Sequence, residues 1–236
     1  MLRVAAGELP STLRLARPGR ALAFSKRDLV APGYGRALRA ARAVGFEPIV
    51  RLAGGRAAVF HEGTLELAHA VRDEDPRAGI HARFGAESAL LARALAALGV
   101  EARVGEVPGE YCPGRYSVNA SGARKLAGLG QRVVSGGSHT GAVIVVDGAE
   151  RVRAALGPVY DALGVDWDPA TVGAVAEELG SDGDSTWAAL CDALLDEYTH
   201  EHEIEEAELD SETLALARRL AEEHRARGAR RSGQTG

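Results

Sequence analysis

Between Ala21 and Val146 the apolar residues come in short runs, and most breaks between runs are glycine or Pro-Gly turns rather than segments of helix length. A parallel crossover needs a dozen or more residues to return, so this spacing leaves no room for regular strand–helix–strand alternation. Short strands joined by tight turns pair antiparallel. The pattern therefore predicts an α+β fold with a mostly antiparallel mixed sheet flanked by helices. The expected strands are 21–24, 47–51, 57–61, 64–71, 100–107, 116–120, 125–134 and 142–146, with 57–61 and 64–71 forming a hairpin about Glu62–Gly63. Residues 135–141, SGGSHTG, read as a loop.

Helix signals are fewer. Pro32 and Gly33 open one that carries Leu38, Ala41 and Val44 and closes at Gly45. A second spans 81–98, with Phe84, Leu91, Leu95 and Leu98 on one face and Gly99 as its stop. Glycine thins out after about Pro169, and helices are expected over 170–179, 186–198 and 203–226. In the last, Leu214, Ala217, Leu220 and Ala221 share a face. The expected organisation is an N-terminal extension or edge strand (1–20), a catalytic domain (21–168), a helical C-terminal appendage (169–226) and a disordered basic tail (227–236).

The 236 residues are 46% apolar, enough for a sizeable core, and the net charge of −5 argues against a surface given over to nucleic acid. No apolar run reaches the roughly 20 residues of a membrane helix, and the first twenty residues do not read as a secretory signal. Two cysteines, Cys112 and Cys191, are too few for a disulfide framework, which suggests a reducing, cytoplasmic setting.

The balance of cations is unusual. Of 28 basic residues only Lys26 and Lys125 are lysine. In a chain that uses arginine wherever a generic positive charge will do, a retained lysine marks a place for a compact point charge.

Four loops carry side chains with chemistry. In Arg51-Leu-Ala-Gly-Gly-Arg56 the glycines allow positive φ and close backbone approach to an anion, with an arginine on either side; an ordinary turn explains the same residues. His61-Glu62 can do acid–base work or sit as a plain surface pair. Cys112 lies in Gly109-Glu-Tyr-Cys-Pro-Gly114 as a nucleophile or a structural thiol. Lys125 begins a strand immediately after the Ser121–Gly122 turn, so its side chain can face whatever the Gly-Gly loop faces. Cys191 falls on an apolar helix face and reads as core. His200 and His202, spaced i, i+2, diverge on a helix, and no metal site is expected.

In this order the loops resemble the lipoate–protein ligase / octanoyltransferase family, which shares the biotin and lipoate protein ligase fold and is related to class II synthetases, over residues 21–168. RLAGGRAAVFH is similar to the family's Arg-Arg-x-x-Gly-Gly-x-Ala-Val-x-His motif, and GARKLAGLGQR to its Gly-x-Lys-(Ile/Val)-x-Gly-x-Ala-Gln-Arg segment. The resemblance implies that Lys125 contacts the acyl carbonyl and phosphate and is essential to transfer. It also implies that Gly54 and Gly55 shape the acyl and adenylate site with Arg51, and that Arg56, His61, Gly128, Gln131, His139 and Gly141 line it. The departures are specific. Val50 stands in place of the first arginine, one extra residue precedes His61, and His139 comes one place early before Thr140-Gly141. Gly137 stands where one transferase class has its cysteine.

The first implied chemistry is ATP- and Mg²⁺-dependent activation of lipoate or octanoate to an acyl-adenylate. The acyl group then passes to a lysine of a lipoyl carrier domain, from a 2-oxoacid dehydrogenase acyltransferase subunit or the glycine cleavage H protein. A second route resembles another octanoyltransferase class: Cys112, thirteen residues before Lys125, carries an octanoyl thioester from acyl carrier protein without ATP. A third reading is a silent relative that binds an acyl or adenylate ligand. Val59, Leu65, Leu67, Val143 and Val145 are the expected walls of the acyl channel. No nucleic acid or membrane partner is expected.

Overall fold

The two segments 124–134 and 137–145 pair as a hairpin at the centre of a six-stranded sheet, and the rest of the chain packs on its two faces. A computed structural model describes residues 1–226; the tail expected to be disordered, 227–236, lies outside the described residues. In chain order the elements are α1 (Leu2–Ala5), β1 (Thr12–Ala16), β2 (Ala21–Phe24), α2 (Lys26–Leu29), α3 (Tyr34–Ala43), β3 (Glu47–Val50), β4 (Ala58–Phe60), β5 (Thr64–Arg72), α4 (Ile80–Ala97), β6 (Ala102–Val104), β7 (Val118–Ala120), β8 (Arg124–Val134), β9 (Gly137–Val145), α5 (Ala149–Leu163), α6 (Val175–Leu179), α7 (Gly183–Thr199) and α8 (Ser211–Ala221). The large sheet runs β1-β5-β9-β8-β7-β6 and is antiparallel throughout. A three-stranded sheet, β3-β2-β4, holds the parallel pair β2–β3. The α+β architecture with a mostly antiparallel sheet is thus the one expected.

Period-two alternation sorts the side chains. Leu65, Leu67, Ala142 and Ile144 meet α4 and α7 through Leu91, Leu95, Leu190 and Leu194. On the small sheet, Leu22, Phe24 and Val59 meet Leu38 of α3 and Leu156, Val159 and Tyr160 of α5. Among the described residues no helix is long and apolar enough to cross a membrane.

Four expectations are corrected. Residues 57–61 and 64–71 do not pair: β4 joins β2, and the chain crosses to the large sheet at a corner where the Thr64 hydroxyl donates to the His61 carbonyl (2.8 Å). The segment 135–141 is mostly strand, because Gly136 at φ +82 allows a tight turn and β9 starts at once. Residues 170–179 are helical only at their ends, since Val172 bridges Lys125 and the Gly173 amide donates to the Lys125 carbonyl (3.0 Å). Of 203–226, Ser211–Ala221 is α-helix, followed by a 3₁₀ turn.

Three helices were not anticipated: α1 and α2, of four residues each, and the long α5. In α5 the pair Gly157-Pro158 reads as a break, yet Val152, Leu156, Val159, Tyr160 and Leu163 are all buried on one side, and glycines in the left-handed region flank the helix. Its packing against α3 rests on Gly33, where an added Cβ would fall 1.6 Å from the Ala162 carbonyl oxygen. Gly33→Ala should therefore lower stability by about 1–3 kcal/mol in urea unfolding. Gly35→Ala, with only the Arg39 side chain 3.9 Å away, should be neutral or stabilising by up to ~1 kcal/mol. Equal losses at the two positions would contradict this packing.

Candidate active site

Lys125 is the second residue of β8 and is 1% exposed. Its ammonium donates to Glu110 Oε1 (3.0 Å) and to the carbonyls of Tyr111 (3.0 Å) and Cys112 (2.9 Å), which uses all three protons. It also lies 4.8 Å from the centre of the Tyr111 ring. The Glu110 carboxylate accepts from the Val107 amide (3.1 Å), the Gly114 amide (3.1 Å) and the Ser117 hydroxyl (2.6 Å). The buried pair therefore staples the whole 107–117 loop to the sheet.

That loop presents Cys112 at φ +44; Cys112 and Ser121 are the two non-glycine residues at positive φ among the described residues. A side chain held there costs about 1–2 kcal/mol and persists only where its surroundings impose it. Here they do. The Cys112 amide donates to the Tyr160 hydroxyl (3.1 Å), which donates to the Ala57 carbonyl (2.9 Å), and the Cys112 carbonyl takes the Lys125 ammonium. The sulfur accepts from the Arg56 amide (3.1 Å) and the Arg51 guanidinium (3.3 Å). Two N–H donors aimed at one sulfur suit a sulfur that carries negative charge.

The Gly-Gly loop supplies the opposite wall. A Cβ at Gly55, φ +100, would fall 2.7 Å from Cys112 Sγ, whereas Gly54 has open space around it. Of the pair, only Gly55 must be glycine. The loop is anchored where the Ser25 hydroxyl donates to the Gly55 carbonyl (2.7 Å) and Arg56 meets the buried Asp28 (3.3 Å). Arg51 also donates to the Arg56 carbonyl (2.5 Å).

Arg51, Gly54, Gly55, Cys112, Lys125, Gly128 and Gln131 line one cavity of about 510 Å³. Gln131 sits at its rim, donating to the Ile80 carbonyl (2.8 Å). His139 and Gly141 line a second cavity of about 460 Å³, which shares Arg51, Gly128, Gly130 and Val143 with the first. Burial lowers the pKa of His139, with the nearby N-terminus adding to the effect. His61 lines neither cavity. It is fully buried at the end of β4, its Nδ1 accepting from the Gly63 amide (2.9 Å), and burial holds its pKa down. Of the expected channel walls, Leu67 and Val143 line cavities, while Val59, Leu65 and Val145 belong to the two cores.

Glu110 and Tyr160 were not singled out for this site from the sequence. Glu110 could have been found as the acid beside Cys112 once Lys125 was known to be buried. Tyr160 lies on the unforeseen helix α5, and no local signal marks it.

The family model of the lipoyl protein ligase A/B catalytic domain matches residues 3–199. The octanoyl-[GcvH]:protein N-octanoyltransferase of Geobacillus kaustophilus is 31% identical over 153 residues, 65% of this chain and 54% of that protein. The lipoyl-[GcvH]:protein N-lipoyltransferase of Listeria monocytogenes is 25% identical over 153 residues, 65% of this chain and 55% of that one. The chain thus spans about half the length of the curated relatives it matches. Lipoate-protein ligase A bound with ATP superposes with a TM-score of 0.69 at 19% identity, covering 90% of this chain and 81% of that one. The bipartite lipoate protein ligase of Thermoplasma acidophilum, solved in a study of its E2 lipoyl domain, gives 0.64 at 18%, covering 92% and 84%. At these identities the two structures show a shared fold.

The two cysteines should separate chemically. Burial, with Asp192 adding to it, pushes the Cys191 thiol up to about 11, so roughly one molecule in a thousand carries its thiolate at pH 8. Iodoacetamide at pH 8 should modify Cys112 in the folded chain and leave Cys191 until denaturant is added, as read by peptide mass mapping. Equal labelling of both would contradict the site as described.

Proposed function

Because the chain belongs to the lipoyl protein ligase A/B catalytic-domain family, we propose that it moves an octanoyl or lipoyl group from a GcvH-type carrier to a lysine of a lipoyl domain through a thioester on Cys112. The single observation that carries the reading is the strained Cys112, its sulfur held by the Arg56 amide and the Arg51 guanidinium in the cavity that Lys125 and Gly55 also line.

In the first half-reaction the Cys112 thiolate attacks the carbonyl carbon of the donor's acyl-lysine. The carbon–nitrogen bond breaks, and the amine leaves with the proton the thiol gave up. In the second, the neutral amine of the acceptor lysine attacks the thioester carbonyl, the carbon–sulfur bond breaks, and a proton returns to sulfur. One amide is broken and one formed, so neither ATP nor a redox partner enters the balance. The donors at sulfur stabilise the departing thiolate in the second step.

Lys125 takes a different part from the one the resemblance implies. To touch an acyl carbonyl its ammonium must release Glu110 or one of two backbone carbonyls, so we assign it to positioning the loop that presents Cys112. The adenylate route, placed first from the sequence, asks for free positive charge to receive a triphosphate. Arg51, Arg56 and Lys125 are engaged by the Arg56 carbonyl and Cys112, by Asp28, and by Glu110 respectively, whereas Arg115 and Arg132, which line the two cavities, form no ion pair among the described residues. What supports the thioester route is the pair of N–H donors, from Arg51 and Arg56, already aimed at the Cys112 sulfur.

The test is the intact mass of a lipoyl domain after incubation with each donor in turn. Octanoylated H protein should modify it without ATP, and Cys112→Ser should lower the rate by about a hundredfold or more. Modification only with octanoate, ATP and Mg²⁺, undiminished by Cys112→Ser, would establish the ligase instead. No modification from any donor would favour a silent binder.

A further inference from the structure

Four basic side chains, Arg51, His81, Arg115 and Lys125, line the cavity that holds Cys112, and among the described residues no aspartate or glutamate does. Glu110 stands behind Lys125, its side chain shut off from solvent. Most of these cations are already engaged. Lys125 uses its three protons on Glu110 and two backbone carbonyls, and Arg51 meets the Arg56 carbonyl and the Cys112 sulfur. His81 Nδ1 lies 3.2 Å from the Tyr116 hydroxyl. The Arg115 side chain alone has neither a hydrogen bond nor an ion pair among the described residues. It is exposed, with its guanidinium 6.0 Å from the centre of the Tyr116 ring. The chain as a whole carries a net charge of −5, so this positive character is local to the cavity.

The seat of Arg115 is stiff. On either side of it the Gly114 amide and the Ser117 hydroxyl donate to Glu110 Oε1 (3.1 and 2.6 Å), and the Ser117 amide donates to the Gly114 carbonyl (2.9 Å). The neighbouring Tyr116 ring stacks on Phe84, with 5.0 Å between centres and 5° between planes. The backbone of Arg115 is thus fixed by the same buried pair that presents Cys112. A cation held in advance beside a nucleophile gives up little freedom when an anion arrives. Three residues of chain separate Arg115 from Cys112, at most about 11 Å. When the acyl carbonyl of a carrier lysine sits at the sulfur, the carrier backbone stands roughly 6 Å beyond it, the length of a lysine stem. The residues flanking that lysine are one Cα step of about 3.8 Å further along, within reach of the long Arg115 side chain.

We propose that Arg115 recognises a carboxylate beside the modifiable lysine of the carrier domain, and so selects carriers whose lysine has an acidic neighbour. The inference rests on the carrier-to-carrier reading above and names the chemistry of the partner surface that the site accepts. A carboxylate can take two parallel N–H···O bonds from one guanidinium. An amide in its place forfeits the charge, and a second cation is repelled. An exposed pair of this kind changes affinity by about threefold to fivefold at low salt, and a like charge opposite it lowers affinity further. A nucleotide phosphate is the competing anion for the same guanidinium.

The test uses one lipoyl domain in three forms, with Glu, Gln or Arg next to the target lysine. Binding is read by fluorescence polarisation of the labelled domain, and transfer by intact mass with the octanoyl thioester of N-acetylcysteamine as donor. With the wild-type chain at low salt, affinity should fall in the order Glu, Gln, Arg by about threefold to fivefold per step, and KM rather than kcat should carry the change in transfer. Salt at about 0.5 M should flatten the order. Arg115→Gln should abolish the order, and Arg115→Glu should reverse it, so that the form bearing Arg binds best. A defect of folding would weaken all three forms alike and leave their order intact. No order with the wild-type chain, or an order that Arg115→Glu does not reverse, would overturn the proposal. So would Arg115→Gln weakening the binding of ATP while the order of the carriers persists, since Arg115 would then belong to a phosphate. The binding series stands whatever the chemistry. A wild-type chain that binds the three forms in the expected order but takes no octanoyl group from the thioester keeps the Arg115 assignment and fails the thioester reading.

Discussion

A lysine and a glutamate, both shut away from water, hold this site together. Moving either charge out of water costs several kcal/mol, and their attraction offsets that only when every remaining donor and acceptor is satisfied. Lys125 and Glu110 meet the condition: three protons find three oxygens on one side, and two amides and a hydroxyl complete the carboxylate on the other. Removing one partner would strand the other, at about 3–5 kcal/mol. Loss of activity on changing Lys125 therefore does not by itself mark it as a catalytic group. The preference for lysine over arginine follows as well, since a planar guanidinium cannot donate to one carboxylate and two successive carbonyls converging on a point.

The consequence of this pair is the conformation of Cys112. Its amide, carbonyl and sulfur each have a partner, and those partners come from α5, from β8 and from the Gly-Gly loop. Three elements far apart in the chain thus converge on one strained residue, which can be held only after both sheets and α5 have packed. Gly55 completes the arrangement by leaving room for the sulfur where any Cβ would collide with it.

The antiparallel α+β fold and the shared cavity of Lys125, Gly54 and Gly55 were legible because they rest on local signals: turn glycines, period-two alternation, and one lysine kept among arginines. Four things were not. The Gly157-Pro158 pair hid α5, since a breaker dipeptide outweighs periodicity in a local reading whereas five buried side chains outweigh it in the folded chain. The apparent hairpin after β4 failed because strands joined by a short corner can belong to different sheets, and only long-range packing chooses. His61 looked like a site residue by motif, yet its strand end turns it into the interior. The choice between adenylate and thioester chemistry depends on the N–H donors that Arg51 and Arg56 aim at the Cys112 sulfur, and pairing of that kind is a property of the folded chain alone.

The central claim is that Cys112 is a nucleophile poised by its surroundings. Its most direct test is to mix the chain with octanoylated H protein in the absence of ATP and acceptor, quench in acid within seconds, and map the peptides by mass. The account predicts one octanoyl group on the peptide containing Cys112, released by neutral hydroxylamine as thioesters are. A lipoyl domain that becomes octanoylated from the same donor while Cys112 never carries an acyl group would contradict it.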